Sequence, residues 1–343
     1  MIFLLALIAL AVSAGAARVL VWCGPVDRPR ERGMHHQPTP TSGGLAIILG
    51  VAVAALLALP FLKLGAPSDR AIGAALAIAT LHGLLGAVDD LFDLGARLKL
   101  VAQAVLALVF ATLVAHPARF VLSDTLLLEV PAWAAIAGTA LWLLVVTNAV
   151  NFMDGSNGLV AGSIAIVAAG LGLTALNVSW SLLGLVLLAT SGACLGFLPP
   201  NFPRAKLFQG DAGALFVGSL IAMLAVIGGG RLGGDGAFPL WCGPIALMPV
   251  LTDVLLTLIV RARRLQRLLD AHKDHLYQRW MAAHGSSHAR LARWFWAIMG
   301  GFTFAAMLAA RSSATAASLT LVGSVVVAVG GWLLVDRSVR RSG

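Results

Sequence analysis

Long apolar runs recur along this 343-residue chain, and short polar segments separate them. A run of about 20 apolar residues crosses the hydrocarbon core of a bilayer as a helix, which satisfies its own backbone polar groups. Charged residues make up 11% of the chain, whereas a soluble domain has about 25%. The pattern therefore predicts an all-α, polytopic membrane protein, with residues 1–343 forming a single integral membrane domain.

We predict eleven membrane-spanning helices. They lie near residues 2–22, 43–62, 71–88, 99–115, 131–150, 158–176, 180–198, 213–230, 238–260, 294–310 and 313–335. No positive charge precedes the first run and several follow it, so we expect it to be retained as a helix rather than cleaved as a signal peptide.

Basic residues are distributed unequally between the two sides of these spans. With the N-terminus outside, 18 of the 24 Lys and Arg residues fall in cytoplasmic segments, five in external ones, and Arg18 inside the first span. Because cytoplasmic loops are enriched in Lys and Arg, this predicts an external N-terminus and a cytoplasmic C-terminus. The net charge of +9 then indicates contact with anionic membrane lipid, and we expect no nucleic-acid partner.

Carboxylates stand at the ends of several apolar runs, all on the predicted cytoplasmic side. They are Asp89 and Asp90, Asp154, and Asp211. Ionisable groups at the membrane are costly and by default indicate a functional site. Several carboxylates at one membrane face suggest a Mg²⁺ site that acts on phosphate.

Five polar segments with candidate site residues lie on this side, near 24–42, 89–98, 148–157, 199–212 and 261–293. The first leads into Gly43 and Gly44, which would allow backbone to approach a ligand or a neighbouring helix. A basic juxtamembrane loop before a capped helix start is the alternative interpretation.

The second and third segments place polar groups at helix spacing. Asp89 lies four residues before Asp93, and Asp90 lies three before it, so on a helix each would share a face with Asp93. Neighbouring carboxylates repel one another, and a bound cation would relieve that repulsion. Asn148, Asn151 and Asp154 recur every three residues along one side of a helix end, where amides can hold a sugar or uracil edge. A solvated helix end and hydrogen bonds between helices are the respective alternatives.

The fourth and fifth segments suit anionic ligands. Gly-Asp-x-Gly around Asp211 would place a carboxylate beside free N–H groups at a helix start, unless Asp211 is only an N-cap. In the fifth segment, His272 and His275 lie beyond a basic run that includes Arg264. A zinc site would need further ligands beside these two histidines, and the sequence shows no third one nearby. We therefore favour hydrogen bonds from the histidines to phosphate or sugar hydroxyls over zinc binding.

Taken together, these motifs resemble the polyprenyl-phosphate N-acetylhexosamine-1-phosphate transferase family, of glycosyltransferase 4 type, to which phospho-MurNAc-pentapeptide transferase is related. The resemblance runs from about Asp27 to Arg293 through Pro-Thr-Pro-x-x-Gly-Gly, Asp-Asp-x-x-Asp, Asn-x-x-Asn-Phe-x-Asp-Gly-x-x-Gly, Gly-Asp-x-Gly and a His-x-x-His loop. Asp-Arg-Pro and His-Lys-Asp-His-Leu-Tyr-Gln-Arg look most like the members that initiate O-antigen synthesis.

The resemblance implies transfer of N-acetylhexosamine-1-phosphate from a UDP-sugar to undecaprenyl phosphate, with release of UMP. It also implies a Mg²⁺ cofactor, with Mn²⁺ as the alternative ion, and a multi-pass protein of the bacterial inner membrane whose active site faces the cytoplasm. A homodimer is expected by family analogy.

The resemblance also implies roles for individual residues. Mg²⁺ ligands would be Asp211, Asp89 and Asp90, with Asp89 deprotonating or orienting the lipid phosphate. Phe208 would stack on uracil, and His272 and His275 would lie over the phosphates or sugar. The other residues implied to lie around the nucleotide sugar are Asn148, Asn151, Asp154, Asn157, Asn201 and Arg264. The family usually has a second Asp where this chain has Asn157, and Ser is frequent where it has Ala214. Asn157 carries no charge, so we do not expect it to be a metal ligand or a base.

Two other functions compete with a transferase. An ion- or proton-coupled transporter could use Asp89 and Asp90, but it predicts carboxylates near the midplane and repeated halves. A membrane lipid phosphatase would usually have its catalytic residues on the external side of the membrane. The carboxylates here lie at span ends and the chain has no evident internal repeat, which favours the transferase.

Overall fold

The protein is described here by a computed structural model, which covers residues 1–27, 38–61, 65–230, 238–267 and 272–342. Within those ranges the chain forms twelve α-helices. They are α1 (Ile2–Cys23), α2 (Gly43–Ala58), α3 (Pro67–Phe92), α4 (Ala96–Leu113), α5 (Ala132–Met153), α6 (Leu159–Asn177), α7 (Ser181–Asn201), α8 (Gly210–Gly229), α9 (Cys242–Arg263), α10 (Leu276–His284), α11 (His288–Ala309) and α12 (Ala314–Ser342).

The described residues contain little β-structure. Strand β1 (Val26–Asp27) pairs antiparallel with β2 (Thr39–Pro40), and β3 (Arg119–Val121) pairs antiparallel with β4 (Leu127–Glu129). A short 3-10 helix, Leu59–Phe61, extends α2. The fold is therefore all-α, as the sequence predicted.

Eleven of the described helices, all except α10, are long and apolar enough to cross a membrane, which confirms the predicted number. Helix α3 continues beyond the predicted 71–88, so Asp89 and Asp90 lie in its last turn and Asp93 follows it in the left-handed conformation, with φ of 53°. The predicted orientation of the termini stays a prediction.

The segment 261–293 is more helical than predicted. It includes α10, and α11 begins at His288 rather than near residue 294. Helix α10 is only nine residues long, and Leu276, Tyr277 and Met281 are its buried side chains. A helix this short, with only one apolar face, has no long apolar run that would indicate it in the sequence.

Helix α8 lies at the centre of the bundle. In its most apolar stretch 94% of the residues are buried, against 11% in α12. Helices α2, α3 and α5 pack around α8. The exposed apolar side chains of α12, such as Leu319, Val326 and Leu334, are suited to face lipid.

Glycines allow the helices around α8 to approach closely. A Cβ on Gly44 of α2 would lie 2.0 Å from the backbone nitrogen of Gly213 in α8. A Cβ on Gly86 of α3 would lie 2.3 Å from the carbonyl oxygen of Asp211. Small residues therefore bring the ends of α2, α3 and α8 together, as they do between other membrane helices.

Candidate active site

The end of α3 caps the start of α8. The backbone N–H groups of Asp211 and Ala212 donate to the Asp90 carboxylate, at 3.0 Å to Oδ1 and 3.2 Å to Oδ2. The first N–H groups of a helix lack partners within the helix and favour negative charge. Asp211 is thus not the cap of its own helix, and its side chain is available for other contacts.

Gly210 makes this junction possible. Its φ is +70°, a left-handed conformation that glycine adopts without steric cost. A Cβ at this position would lie 2.4 Å from Asp90 Oδ2 and 2.7 Å from Thr41 Oγ1. Any larger residue would therefore displace the cap.

The amino group of Lys99 connects two carboxylates from different helices. Its Nζ lies 2.7 Å from Asp89 Oδ2 and 2.5 Å from Asp211 Oδ2. All three side chains are largely buried, with exposed fractions of 19%, 12% and 25% for Lys99, Asp89 and Asp211. A cation between two partly desolvated carboxylates offsets their mutual repulsion.

Asn151 completes the environment of Asp211, since its Nδ2 donates to Asp211 Oδ1 at 2.9 Å. Asp154 follows directly after α5 and is half-buried. Burial, together with the negative charges of Asp211 and Asp90, raises the pKa of Asp154 well above its usual range. The structure therefore brings together Asp89, Asp90 and Asp211 with residues from the end of α5.

The other predicted amides make mostly structural contacts. Asn148 Nδ2 donates to Gln103 Oε1 at 2.6 Å, which joins α5 to α4. Asn201 is buried, accepts from the backbone N–H of Gly158 at 2.6 Å and donates to the carbonyl of Leu207 at 2.9 Å. Asn201 therefore positions the turn before α6 and the chain before α8.

Asn157 and Phe208 lie on the segments that Asn201 holds. Asn157 donates to the carbonyl of Pro203 at 3.3 Å. Phe208 is half-buried, and its backbone N–H donates to the carbonyl of Pro40 at 2.8 Å while its carbonyl accepts from the N–H of Gly43 at 2.9 Å. The backbone of Phe208 is thus fixed against the segment before α2.

His272 is neutral in its surroundings. Burial, the His275 ring and the guanidinium of Arg261 lower the pKa of His272 to about 4, although Asp274 opposes them. The backbone N–H of Asp274 donates to His272 Nδ1 at 3.3 Å. In that arrangement Nδ1 is the acceptor, so the proton of the neutral ring lies on Nε2.

Asp253 of α9 holds His275 and the start of α10. Its carboxylate accepts from the backbone N–H groups of Leu276 at 2.9 Å and Tyr277 at 3.1 Å. His275 Nδ1 lies 3.7 Å from Asp253 Oδ1, and the His272 and His275 rings have centroids 4.9 Å apart. The two histidines are therefore neighbours on a segment that a buried carboxylate fixes.

Tyr277 links α10 to the end of α5, whereas Arg264 lies apart from these contacts. The Tyr277 hydroxyl donates to the carbonyl of Phe152 at 3.1 Å, two residues before Asp154. Burial, with the charges of Asp253 and Asp154, raises the pKa of Tyr277, so its hydroxyl keeps its proton. Arg264 is exposed just beyond the end of α9.

The carboxylates fit a metal that takes part of its coordination from substrate. Among the described residues, no group of three or more His, Cys, Asp or Glu side chains forms a complete cage. Mg²⁺ commonly uses one or two carboxylates and completes its shell with water and phosphate oxygens. Asp89 Oδ1 is buried without a hydrogen-bond partner in the part of the chain that is described, so it is a free acceptor beside Asp211.

The chain is similar to known proteins along most of its length. Residues 72–229 match the model of glycosyl transferase family 4. The decaprenyl-phosphate N-acetylglucosaminephosphotransferase of Mycolicibacterium smegmatis is 32% identical over 317 residues, covering 86% of this chain and 78% of the relative. The chain belongs to glycosyl transferase family 4.

Two further relatives match two thirds or more of this chain. A probable undecaprenyl-phosphate N-acetylglucosaminyl 1-phosphate transferase of Bacillus subtilis is 31% identical over 87% of this chain and 80% of its own length. A phospho-N-acetylmuramoyl-pentapeptide-transferase of Synechococcus is 35% identical over 68% of this chain and 67% of its own length. The chain is therefore a membrane enzyme that transfers a sugar phosphate to a polyprenyl phosphate.

Two residues of the site were not among the predicted ones. Lys99 counted only as a basic residue at the start of a span, and Asp253 lies inside the predicted span 238–260. A carboxylate within an apolar run is itself a signal of function, and that signal would have identified Asp253. Nothing in the local sequence pairs Lys99 with Asp211, because 112 positions separate them.

Proposed function

We propose that this member of the family transfers N-acetylhexosamine-1-phosphate from a UDP-sugar to undecaprenyl phosphate. A phosphate oxygen of the lipid attacks the β-phosphorus of the donor, and the bond from that phosphorus to the bridging oxygen breaks. The electron pair of the broken bond leaves with UMP, and the lipid keeps the new diphosphate linkage. The product would start an O-antigen-like surface polysaccharide at the cytoplasmic face of a bacterial inner membrane.

One observation supports this proposal most strongly: Lys99 lies between Asp89 and Asp211 where two membrane-spanning helices end. A site at a helix end can meet both a lipid phosphate at the membrane surface and a soluble nucleotide sugar. The names of the relatives add the acceptor class and, for two of them, an N-acetylglucosamine donor. We therefore expect an N-acetylhexosamine on the donor.

We assign Asp89 and Asp211 as the ligands of Mg²⁺, with Mn²⁺ as the alternative ion. Bound there, the ion would neutralise charge that develops on the diphosphate. Both oxygens of Asp90, the third predicted ligand, already accept backbone N–H groups, so we assign it to positioning Asp211. Lys99 holds the two ligands together before substrate binds and offers positive charge to the phosphates.

The remaining residues surround the donor in this proposal. Asn151 orients the Asp211 carboxylate, and Asp154 lies close enough to Asp211 and Asp90 for their charges to raise its pKa. Phe208 stacks on the uracil ring from its fixed backbone. His272 donates from Nε2 to a phosphate or sugar oxygen, because its Nδ1 already accepts the N–H of Asp274. Asp89 also orients the lipid phosphate for attack.

The test is UMP release by purified protein with undecaprenyl phosphate, Mg²⁺ and a panel of UDP-N-acetylhexosamines. We expect release that needs lipid, metal and one particular sugar. Asp211→Asn should abolish release while the protein remains folded, and Asp69→Asn, a control at the opposite end of α3, should not.

Three outcomes would contradict the proposal. Near-normal UMP release from Asp211→Asn at saturating Mg²⁺ would refute the role of Asp211. Release of inorganic phosphate without UMP would indicate a lipid phosphatase. No release with any donor, from folded protein, would favour a transporter that uses Asp89 and Asp90. The predicted homodimer is tested separately by the mass of the protein in detergent.

A further inference from the structure

A second feature of the molecule is a cavity whose walls do not include the carboxylates of α3 and α8. Helices α9, α11 and α12 surround an apolar cavity of about 930 Å³, and residues of α10 line one end of it. Its walls include Pro249, Phe302 and Val327, and Leu276 and Trp280 contribute from α10. Cavities that hold small ligands have volumes of roughly 300–1,000 Å³ and mostly apolar walls.

Small residues face this cavity without filling it. Gly301 of α11 and Gly323 and Gly331 of α12 line it, and a Cβ on any of them would meet nothing within 4 Å. In membrane proteins such residues usually let helices pack closely, but here α11 and α12 leave a gap. Water is disfavoured in an apolar gap. The surrounding bilayer offers a lipid acyl chain that can occupy the gap instead.

One wall residue carries a polar group without a partner. Trp332 lines the cavity and is 8% exposed. Its indole nitrogen is buried and has no hydrogen-bond partner within the described ranges. A buried Trp N–H usually donates to an acceptor, and the ester carbonyl of a phospholipid is an acceptor at the edge of the hydrocarbon core.

Basic side chains lie near the start of α11 and near the end of α12. Arg290 and Arg293 are exposed in the first two turns of α11, and Arg337 and Arg341 are exposed near the end of α12. None of these four forms an ion pair or side-chain hydrogen bond with another described residue, whereas Arg340 pairs with Asp336 at 2.7 Å. Their charge favours an anionic headgroup over a zwitterionic one.

We propose that this cavity binds an anionic phospholipid of the surrounding bilayer. An acyl chain lies between α11 and α12, an ester carbonyl accepts the indole N–H of Trp332, and the phosphate lies among the arginines. The bound chain also contacts Leu276 and Tyr277, so it supports the helix that follows His275. Asp253 contributes to the wall of this cavity, but Asp89, Asp90 and Asp211 do not, and lipid binding does not depend on the identity of the donor sugar.

The experiment is native mass spectrometry of the full-length protein from micelles with equal phosphatidylglycerol and phosphatidylcholine. Wild type should retain phosphatidylglycerol. The double variant Gly301→Leu with Gly331→Leu should reduce retention by about tenfold or more, because it fills the cavity. The control, Gly300→Leu with Gly330→Leu, changes neighbouring glycines that also have nothing within 4 Å but do not line the cavity, and should retain lipid.

Two smaller changes test the polar contacts and are less disruptive to the fold. Trp332→Phe should lower retention by about fivefold through loss of one hydrogen bond. Arg293→Gln with Arg337→Gln should remove the preference for phosphatidylglycerol over phosphatidylcholine.

Three results would overturn the proposal. Equal lipid retention by the two double-glycine variants would exclude this cavity as the site. Retention of added undecaprenyl phosphate in preference to phosphatidylglycerol would assign the cavity to the acceptor lipid instead. A change from dimer to monomer in the cavity variant alone would identify a second copy of the chain as the occupant.

Discussion

The backbone N–H of Asp211 donates to the carboxylate of Asp90 at 3.0 Å, which joins the start of α8 to the end of α3. The neighbouring Asp89 instead directs its carboxylate to Lys99. Two adjacent acids in the last turn of one helix therefore have different partners. Asp90 determines where α8 begins, and Asp89 belongs to the charged centre that contains Asp211.

This difference predicts different effects of the same substitution at the two positions. Asp90→Asn should lower the free energy of unfolding by about 1–2 kcal/mol, because it weakens the cap of α8. Asp89→Asn should leave stability nearly unchanged but reduce UMP release by at least about a hundredfold. Thermal unfolding and turnover, measured on both variants, check the prediction. Equal loss of stability in the two would contradict the separate roles.

Gly210 should be intolerant of even one methyl group. Gly210→Ala places a Cβ 2.4 Å from Asp90 Oδ2 in a left-handed conformation. We expect a loss of about 1–3 kcal/mol in unfolding free energy, with reduced turnover. Gly95→Ala is the control, since a Cβ at Gly95 meets nothing within 4 Å. An active Gly210→Ala protein with normal stability would show that the cap is not needed.

Lys99 should matter in two ways that can be measured separately. Lys99→Met should reduce UMP release by about a hundredfold or more. It also leaves Asp89 and Asp211 without their shared cation, so Mg²⁺ added without substrate should raise the melting temperature more in the variant than in wild type. Lys206→Met, at an exposed lysine in the segment before α8, should change neither quantity. An identical response to Mg²⁺ in Lys99→Met and wild type would argue against metal binding by these carboxylates.

The pKa of His272 predicts how stability depends on acidity. The pKa is lowered from 6.5 to about 4 in the folded protein. As pH falls below 6.5 the unfolded chain takes up a proton that the folded state does not, so stability that is present above that pH is lost toward pH 4. His272→Gln removes this contribution, and its melting temperature should fall less over that interval. The same decline in both proteins would contradict the assignment.

The sequence predicted the architecture well because it depends on a local property. A membrane-spanning helix satisfies its own backbone, so a run of apolar residues identifies it without knowledge of its neighbours. The eleven predicted spans accordingly match the eleven candidate spans of the described chain. Helix α10 escaped prediction because its stability depends on a carboxylate from α9 and on packing against the bundle.

The site was only partly predictable, because its contacts join distant parts of the chain. The motifs placed Asp89, Asp90 and Asp211 on one side, but their spacing could not reveal that Asp90 caps α8. Asn201 matched a substrate-site position, and the fold uses both ends of its amide on backbone groups. Such assignments require the tertiary structure, since the polar atoms of a side chain can form hydrogen bonds equally well with the protein or with a ligand.

Phe208 offers the sharpest test of where the nucleotide binds. Its backbone is held on both sides by Pro40 and Gly43, so Phe208→Ala should remove the ring without moving the chain. If the ring stacks on uracil, the KM for the UDP-sugar should rise at least about fivefold, because stacking on a base contributes roughly 1–3 kcal/mol. The turnover number at saturating donor should change little. Phe208→Tyr keeps an aromatic face and should preserve the KM, and an unchanged KM in Phe208→Ala would place the base elsewhere.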